Sequence, residues 1–185
     1  RVVIRLKRWL IKIIVITLLA VYGICVIRVN SKYPQTKVEI VGLNQCIEYQ
    51  GADVLITDGY VMNETDINRY FSWEKEHYGG CIGIVADVLI ENNSFTEKKV
   101  DLTALIFESG GWKNAIHYMA FTKLNEDNEK MSFNPILQPG ENIQLKLPTF
   151  VAPIHMRESQ WDGFLERDIY LTFSLYPEKL MAELF

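Results

Sequence analysis

The chain has 185 residues, 49% of them hydrophobic and 23% charged, with a formal net charge of −4 and three cysteines. The charge is divided: residues 1–28 hold six basic residues and no acid, whereas residues 29–185 hold 13 Lys and Arg against 23 Asp and Glu, a net of −10. So acidic a surface is repelled by nucleic acid and by anionic headgroups, which excludes both as direct ligands of this part; its 157 residues fit one domain, long enough to bury a core without metal or several disulfides.

Residues 9–27 (WLIKIIVITLLAVYGICVI) carry a single charge, Lys12, and predict a membrane-spanning helix. Nineteen residues at about 1.5 Å each cover roughly 28 Å, close to the hydrocarbon thickness of a bilayer. Lys12 lies one turn inside the run and can snorkel to the headgroups. Arg1, Arg5, Lys7 and Arg8 precede it without an acid, so this end is expected in the cytoplasm and residues from about 29 onward outside. The expectation is a single-pass plasma-membrane protein, with a basic cytoplasmic segment and transmembrane helix over residues 1–28. A cleaved signal peptide is the competing reading, but neither Val21-Tyr22-Gly23 nor Val29-Asn30-Ser31 makes a strong cleavage site. Cys25 follows Ile24 where a lipidated cysteine would follow a small residue, and is read as an apolar packing residue.

Residues 29–36 (VNSKYPQT) are polar and read as a tether, with an extracytoplasmic domain over 37–185. Strand-like runs follow at 37–41, 45–49 and 54–61, the last broken by a Thr57-Asp58-Gly59 turn signal. Asn63 is the predicted cap of a short helix carrying Ile67, Tyr70, Phe71 and Trp73. Residues 81–91 (CIGIVADVLIE) form the strongest strand, with Ile82, Ile84, Ala86, Val88 and Ile90 on one face, and are expected at the centre of a sheet. Residues 100–107 read as its antiparallel partner. After the Ser109-Gly110-Gly111 turn, residues 113–125 suit a helix and an irregular crossover equally. Pro139-Gly140 introduces a clean strand at 142–147, and 168–176 alternates in the same way; residues 155–167 connect the two, and 178–185 read as a final edge strand. Seven or eight short strands with short helical insertions make the chain mainly β, an antiparallel sandwich.

No catalytic template is met: G-x-S-x-G, H-E-x-x-H, G-x-x-x-x-G-K-[ST] and G-x-G-x-x-G are all missing from the sequence. His77, His117 and His155 lack metal-ligand spacing and read as surface or hydrogen-bonded core residues. The pairs Glu64/Asp66 and Glu74/Glu76 are read as a solvated acidic face, since no aspartate ladder accompanies them. No catalytic residue, cofactor or metal is therefore expected. Cys46 and Cys81, the two cysteines beyond the helix, form either one disulfide or two free thiols, and the lack of a C-x-x-C pair argues against redox or zinc chemistry. Trp112, after Gly110-Gly111, and Trp161, before Asp162-Gly163, are either interface anchors or covers for the sandwich core. Asn63-Glu64-Thr65 and Asn92-Asn93-Ser94 fit the glycosylation sequon.

The succession VLIENNS (88–94), VDLTALIFESGGW (100–112), ILQPGENIQLKLP (136–148) and YLTFSLYP (170–177) resembles the telokin-like, immunoglobulin-like extracytoplasmic domains of uncharacterised membrane-anchored proteins of Gram-positive bacteria. In these a strand ending in Asn, a later Pro-Gly turn and a terminal strand recur in that order. The resemblance covers about residues 37–185 and implies an immunoglobulin-like fold held outside the cell, with no catalytic residues; Cys46 and Cys81 stand closer in sequence than an antibody-type pair. The expected function is a non-enzymatic interaction module, an accessory subunit of a transporter, secretion or cell-envelope complex with a membrane-protein partner. The alternative is a sensor or carrier that takes a peptide or small molecule at loops near Trp112 and Trp161.

Overall fold

Period-two alternation of apolar residues gives strands with one dry face, and two such faces bury each other. The structure is a computed structural model that describes residues 2–33 and 36–185, with the backbone alone of 2–8, 10 and 11. It divides into two units, Arg1–Lys37 and Val38–Phe185.

The first unit is a helix, α1 (Val2–Lys32). Its stretch Lys12–Lys32, 21 residues, is long and apolar enough to cross a membrane. Its two aliphatic hydroxyls are satisfied within the helix: Thr17 Oγ1 donates to the Ile13 carbonyl at 2.9 Å and Ser31 Oγ to that of Ile27 at 2.8 Å, so neither needs water. Residues 29–32, assigned to the tether from composition, continue the helix by about one turn. It stops short of Tyr33, whose position before Pro34 disfavours helical backbone. Arg1, Pro34 and Gln35 lie outside the described residues.

The second unit is mainly β. A five-stranded sheet, antiparallel from β11 to β7, is ordered β1 (Lys37–Val41), β11 (Glu178–Glu183), β10 (Tyr170–Ser174), β6 (Ile106–Ser109), β7 (Trp112–Ala115), and a four-stranded antiparallel sheet is ordered β2 (Cys46–Tyr49), β3 (Ala52–Val61), β4 (Ile82–Glu91), β9 (Asn142–Val151). A short pair, β5 (Lys98–Lys99) with β8 (Ile136–Leu137), lies apart. Ile84, Ala86, Val88 and Ile90 of β4 and Ile143, Leu145 and Leu147 of β9 pack in one core with Phe107, Leu171 and Ala182 of the five-stranded sheet.

Four expectations change. Thr57 is a bulge inside β3, not a turn, because Gly59 is needed in the strand: a Cβ there would stand 2.7 Å from Leu184 Cβ. Residues 100–107 do not pair with β4, whose neighbours are β3 and β9; Leu102–Ala104 is a 3-10 turn capped by Asp101, and only Ile106–Ser109 is strand, in the other sheet. β11 is interior, covered by β1. The 113–125 stretch divides into β7 and a helix, α4 (Tyr118–Leu124).

Three helices cover one end of the four-stranded sheet on its outer face: α2 (Glu64–Tyr70), α3 (Ser72–Tyr78) and α4. They bury a second cluster, Met62, Ile67, Phe71, Val85 and Ala120. Val85 points away from the main core, and its burial explains why the alternation of β4 is imperfect. Gly83 makes room for this layer, since a Cβ there would meet Met62 Sδ at 2.9 Å and the fully buried Phe71 ring at 3.1 Å. The last helix, α5 (Glu158–Trp161), lies in the connection to β10.

Candidate functional site

The helical layer is placed by caps that its own sequence supplies. Asn63 Oδ1 accepts the Asp66 amide at 3.0 Å to start α2, and Gly79, at φ 71°, ends α3 in the left-handed conformation that glycine adopts without strain. The chain reaches α4 by leaving the five-stranded sheet along β7 and crossing to the edge of β9. Thr149 Oγ1 donates to the Ala115 carbonyl at 2.8 Å and the His117 amide to that of Pro148 at 2.8 Å. These bonds set His117 at the start of α4, facing α3.

There His117 uses both ring nitrogens. Nδ1 accepts the Ala120 amide at 3.3 Å as the α4 cap, and Nε2–H donates to Glu74 Oε1 at 2.9 Å, with the two side chains 20% and 11% exposed. Phe71 and Phe150 wall the imidazole, with ring centres at 5.1 and 5.6 Å. His77 and His155 join the same aromatic cluster: His77 stacks on Trp73 at 4.6 Å and 10°, and His155 packs on Phe150 at 5.4 Å. The structure thus gathers three histidines that sequence spacing kept apart, although only His117 has a carboxylate partner among the described residues. With its Nδ1 lone pair and its Nε2 proton both engaged, His117 is a latch and not a free base.

Beside the latch a cleft of about 450 Å³ opens between α3 and α4, lined by Tyr70, Trp73, Glu74, His117, Met119 and Lys123. Glu74 is 8% exposed, and among the described residues nothing hydrogen-bonds its second carboxylate oxygen, Oε2. Trp73 and Met119 are each 60% exposed at the mouth. Below the latch, burial pushes the Cys81 thiol up to about 11, with the Glu74 carboxylate adding to the effect and Lys75 opposing it.

No protein-family model matches the chain, and no curated protein matches it. Among solved structures it is similar to an uncharacterised β-sandwich protein of Clostridium difficile 630, at 10% identity over 82% of this chain and 97% of that one, with a TM-score of 0.49. It is also similar to a conserved hypothetical protein of Bacillus anthracis (15% identity, 75% and 93% covered, TM-score 0.46). A third likeness is to a functionally unknown protein of Listeria monocytogenes EGD-e (13%, 76% and 80%, TM-score 0.45).

The residues singled out from sequence lie elsewhere. Trp112 is buried: it pairs with Ser109 across the β6–β7 hairpin, faces inward and meets the Phe164 ring edge-on at 5.4 Å. It covers the sandwich core, one of the two roles its sequence position suggests. Trp161 is half-buried on α5 against the same core. Cys46 and Cys81 are both free, and no bridge joins them. Cys46 stands opposite Leu55, which stands opposite Leu89, so Cys81 is eight residues further along β4, roughly 26 Å at about 3.3 Å per residue and far beyond disulfide reach. Of the acidic pairs, Glu74 turns inward to His117 while Glu76 is exposed, and Glu64 pairs with Lys75. The sequon residue Asn92 is fully buried; Asn63 is exposed.

Proposed function

We propose that the chain is a non-enzymatic, membrane-anchored extracytoplasmic interaction module, an accessory subunit of a transporter, secretion or cell-envelope complex. In this reading α1 crosses the plasma membrane with its basic end in the cytoplasm, and a telokin-like, immunoglobulin-like domain stands outside. The observation that carries it is the surface of α1: residues 12–33 are exposed except Gly23, with Leu18 63% and Ile24 64% exposed. A helix that is apolar on all sides is stable when hydrocarbon surrounds it. The occupied nitrogens of His117 support the non-enzymatic part.

Phe95 supports the interaction part. It is 99% exposed, yet its loop is held by Asn92, whose side-chain amide donates to the carbonyls of Thr96 and Leu137, both at 2.8 Å. A rigid loop presenting one large apolar side chain suits an interface anchor. The test places a photo-crosslinking phenylalanine analogue at position 95 of the full chain in its native membrane. A discrete adduct with a membrane protein is expected; adducts with lipid alone, or with nothing, overturn the reading.

A second reading, an extracytoplasmic sensor or carrier for a small molecule, is favoured by the cleft between α3 and α4 and places its ligand there, away from Trp112 and Trp161. Thermal unfolding of the detergent-solubilised chain against a panel of small molecules tests it, and a uniformly flat response overturns it.

A further inference from the structure

The cleft between α3 and α4 combines three chemical features, and together they select a ligand. Its floor holds Glu74, whose side chain is 11% exposed, with Oε1 taken by His117 and Oε2 without a protein partner among the described residues. That oxygen opens to solvent in the cleft, and a sheltered carboxylate oxygen facing a cleft favours a ligand that brings positive charge and N–H or polarised C–H groups. Its wall holds Trp73, which stacks on His77 and meets Tyr78 edge-on at 6.0 Å yet stays 60% exposed, so indole surface remains open to a cation. Its rim holds Lys123, which has no ion-pair partner among the described residues. A simple cation would be attracted by Glu74 and repelled by Lys123. A ligand carrying an acid group beside its ammonium meets both charges favourably.

We infer that this cleft binds a small amphoteric molecule, its ammonium group held between Trp73 and Glu74 Oε2 and its acid group facing Lys123. The inference rests on the ligand-binding reading and names its chemistry. Tyr70 belongs to the same wall, and Arg69 already lies 5.2 Å from the centre of its ring, so this end of the helical layer accommodates a cation over an aromatic face.

The test is calorimetric titration of the full chain in a non-ionic maltoside detergent, at fixed ionic strength, with glycine betaine, glycine, tetramethylammonium chloride and sodium acetate. Saturable binding of betaine or glycine is expected, with tetramethylammonium weaker and acetate showing none. Trp73→Ala is expected to weaken betaine by about threefold to thirtyfold, and Glu74→Gln by about tenfold or more. Lys123→Gln is expected to erase the advantage of betaine over tetramethylammonium. Because Glu74→Gln also disturbs the His117 latch, Trp73→Ala, whose ring is mostly outside the core, is the deciding variant; both are checked for unchanged helical content by circular dichroism. Binding of acetate alone overturns the inference while leaving the ligand-binding reading in place. Failure of every ammonium probe to bind overturns the inference, as does betaine binding that is indifferent to Trp73→Ala.

Discussion

His117 ties two helices together through one ring: its Nε2–H lies 2.9 Å from Glu74 Oε1 on α3, while its Nδ1 takes the Ala120 amide at 3.3 Å and so begins α4. Replacing it removes a helix cap, worth about 1 kcal/mol, and leaves a buried carboxylate short of a donor, a further 1.5–3 kcal/mol or so. His117→Ala is therefore expected to destabilise the domain by about 2–4 kcal/mol in denaturant unfolding. A double-mutant cycle with Glu74→Gln should return a coupling of about 1 kcal/mol or more. Strict additivity would mean that the 2.9 Å contact contributes nothing.

Gly59 sits in β3 where the sequence suggests a turn. Its missing Cβ is the reason: the added atom would lie 2.7 Å from Leu184 Cβ and 3.1 Å from the Leu184 Cα and carbonyl oxygen, and backbone atoms cannot rotate aside. Gly59→Ala is expected to cost about 1–3 kcal/mol through overpacking. A melting temperature equal to that of the parent would show that Leu184, just after β11, can move away from β3 at no cost.

How far the fold was legible from sequence follows from where each side chain is buried. β9 was readable because Ile143, Leu145 and Leu147 alternate with wet residues on an edge strand. β4 was recognisable but irregular, because Val85 is buried on the opposite face from Ile84 and Ala86, under helices whose position no local pattern announces. The cleft was not legible. Glu74 and His117 stand 43 residues apart with no motif spacing between them, and they meet because β7 is stitched to β9 by Thr149 and Pro148. The single local hint was a polar residue, His117, directly before the amphipathic run YMAFTKL, the place of a helix cap. Trp112 stayed open between two roles: its turn is visible in sequence, but which face of the hairpin turns inward depends on what packs against it, here the core around Phe164.

Asn92 matches a glycosylation sequon and is fully buried. Its Nδ2 donates to the Thr96 and Leu137 carbonyls, and its Oδ1 accepts from the Ser94 amide at 3.0 Å and the Ser94 hydroxyl at 2.7 Å. Asn92→Ala strands several polar groups at once and is expected to lower stability by about 2–4 kcal/mol. Expression through a glycosylating secretory pathway should give no glycan at Asn92, checked by peptide mass spectrometry.

The free thiols predict a labelling order. The Cys81 thiol, raised to about 11 by burial and then by Glu74, is almost wholly protonated at pH 8, and it is half-buried. Cys46 is also raised, by burial and then by Asp53, but it is exposed on the edge strand β2. Iodoacetamide at pH 8 should alkylate Cys46 well ahead of Cys81, and the intact mass should be the same before and after reduction. A loss of two hydrogens that reduction restores, in monomeric protein, would contradict the register of β2, β3 and β4.

Glu108 gives the fold an acid limb. It lies opposite Tyr170 on β10 and Lys113 on β7, is 5% exposed, and pairs with Lys179 and, at 3.4 Å, with Lys113. Burial alone pushes its carboxyl up, but Lys179 and then Lys113 more than offset this and hold it below the ordinary glutamate range. A carboxyl depressed in the folded state binds its proton more readily when unfolded. Its stabilising contribution is therefore complete above the unfolded value of about 4.3 and is lost as pH falls through the lower folded value. Denaturant midpoints measured from pH 7 to pH 3 should fall most steeply below about pH 4.3. Glu108→Gln should flatten that limb while lowering stability at pH 7 by about 1–3 kcal/mol, since Lys179 is left half-buried without its counter-charge. Adding Lys179→Met should recover part of the loss at pH 7 and leave the limb flat, because an apolar side chain needs no partner on that face of β11. An acid limb as steep in Glu108→Gln as in the parent would assign the acid sensitivity to other carboxylates.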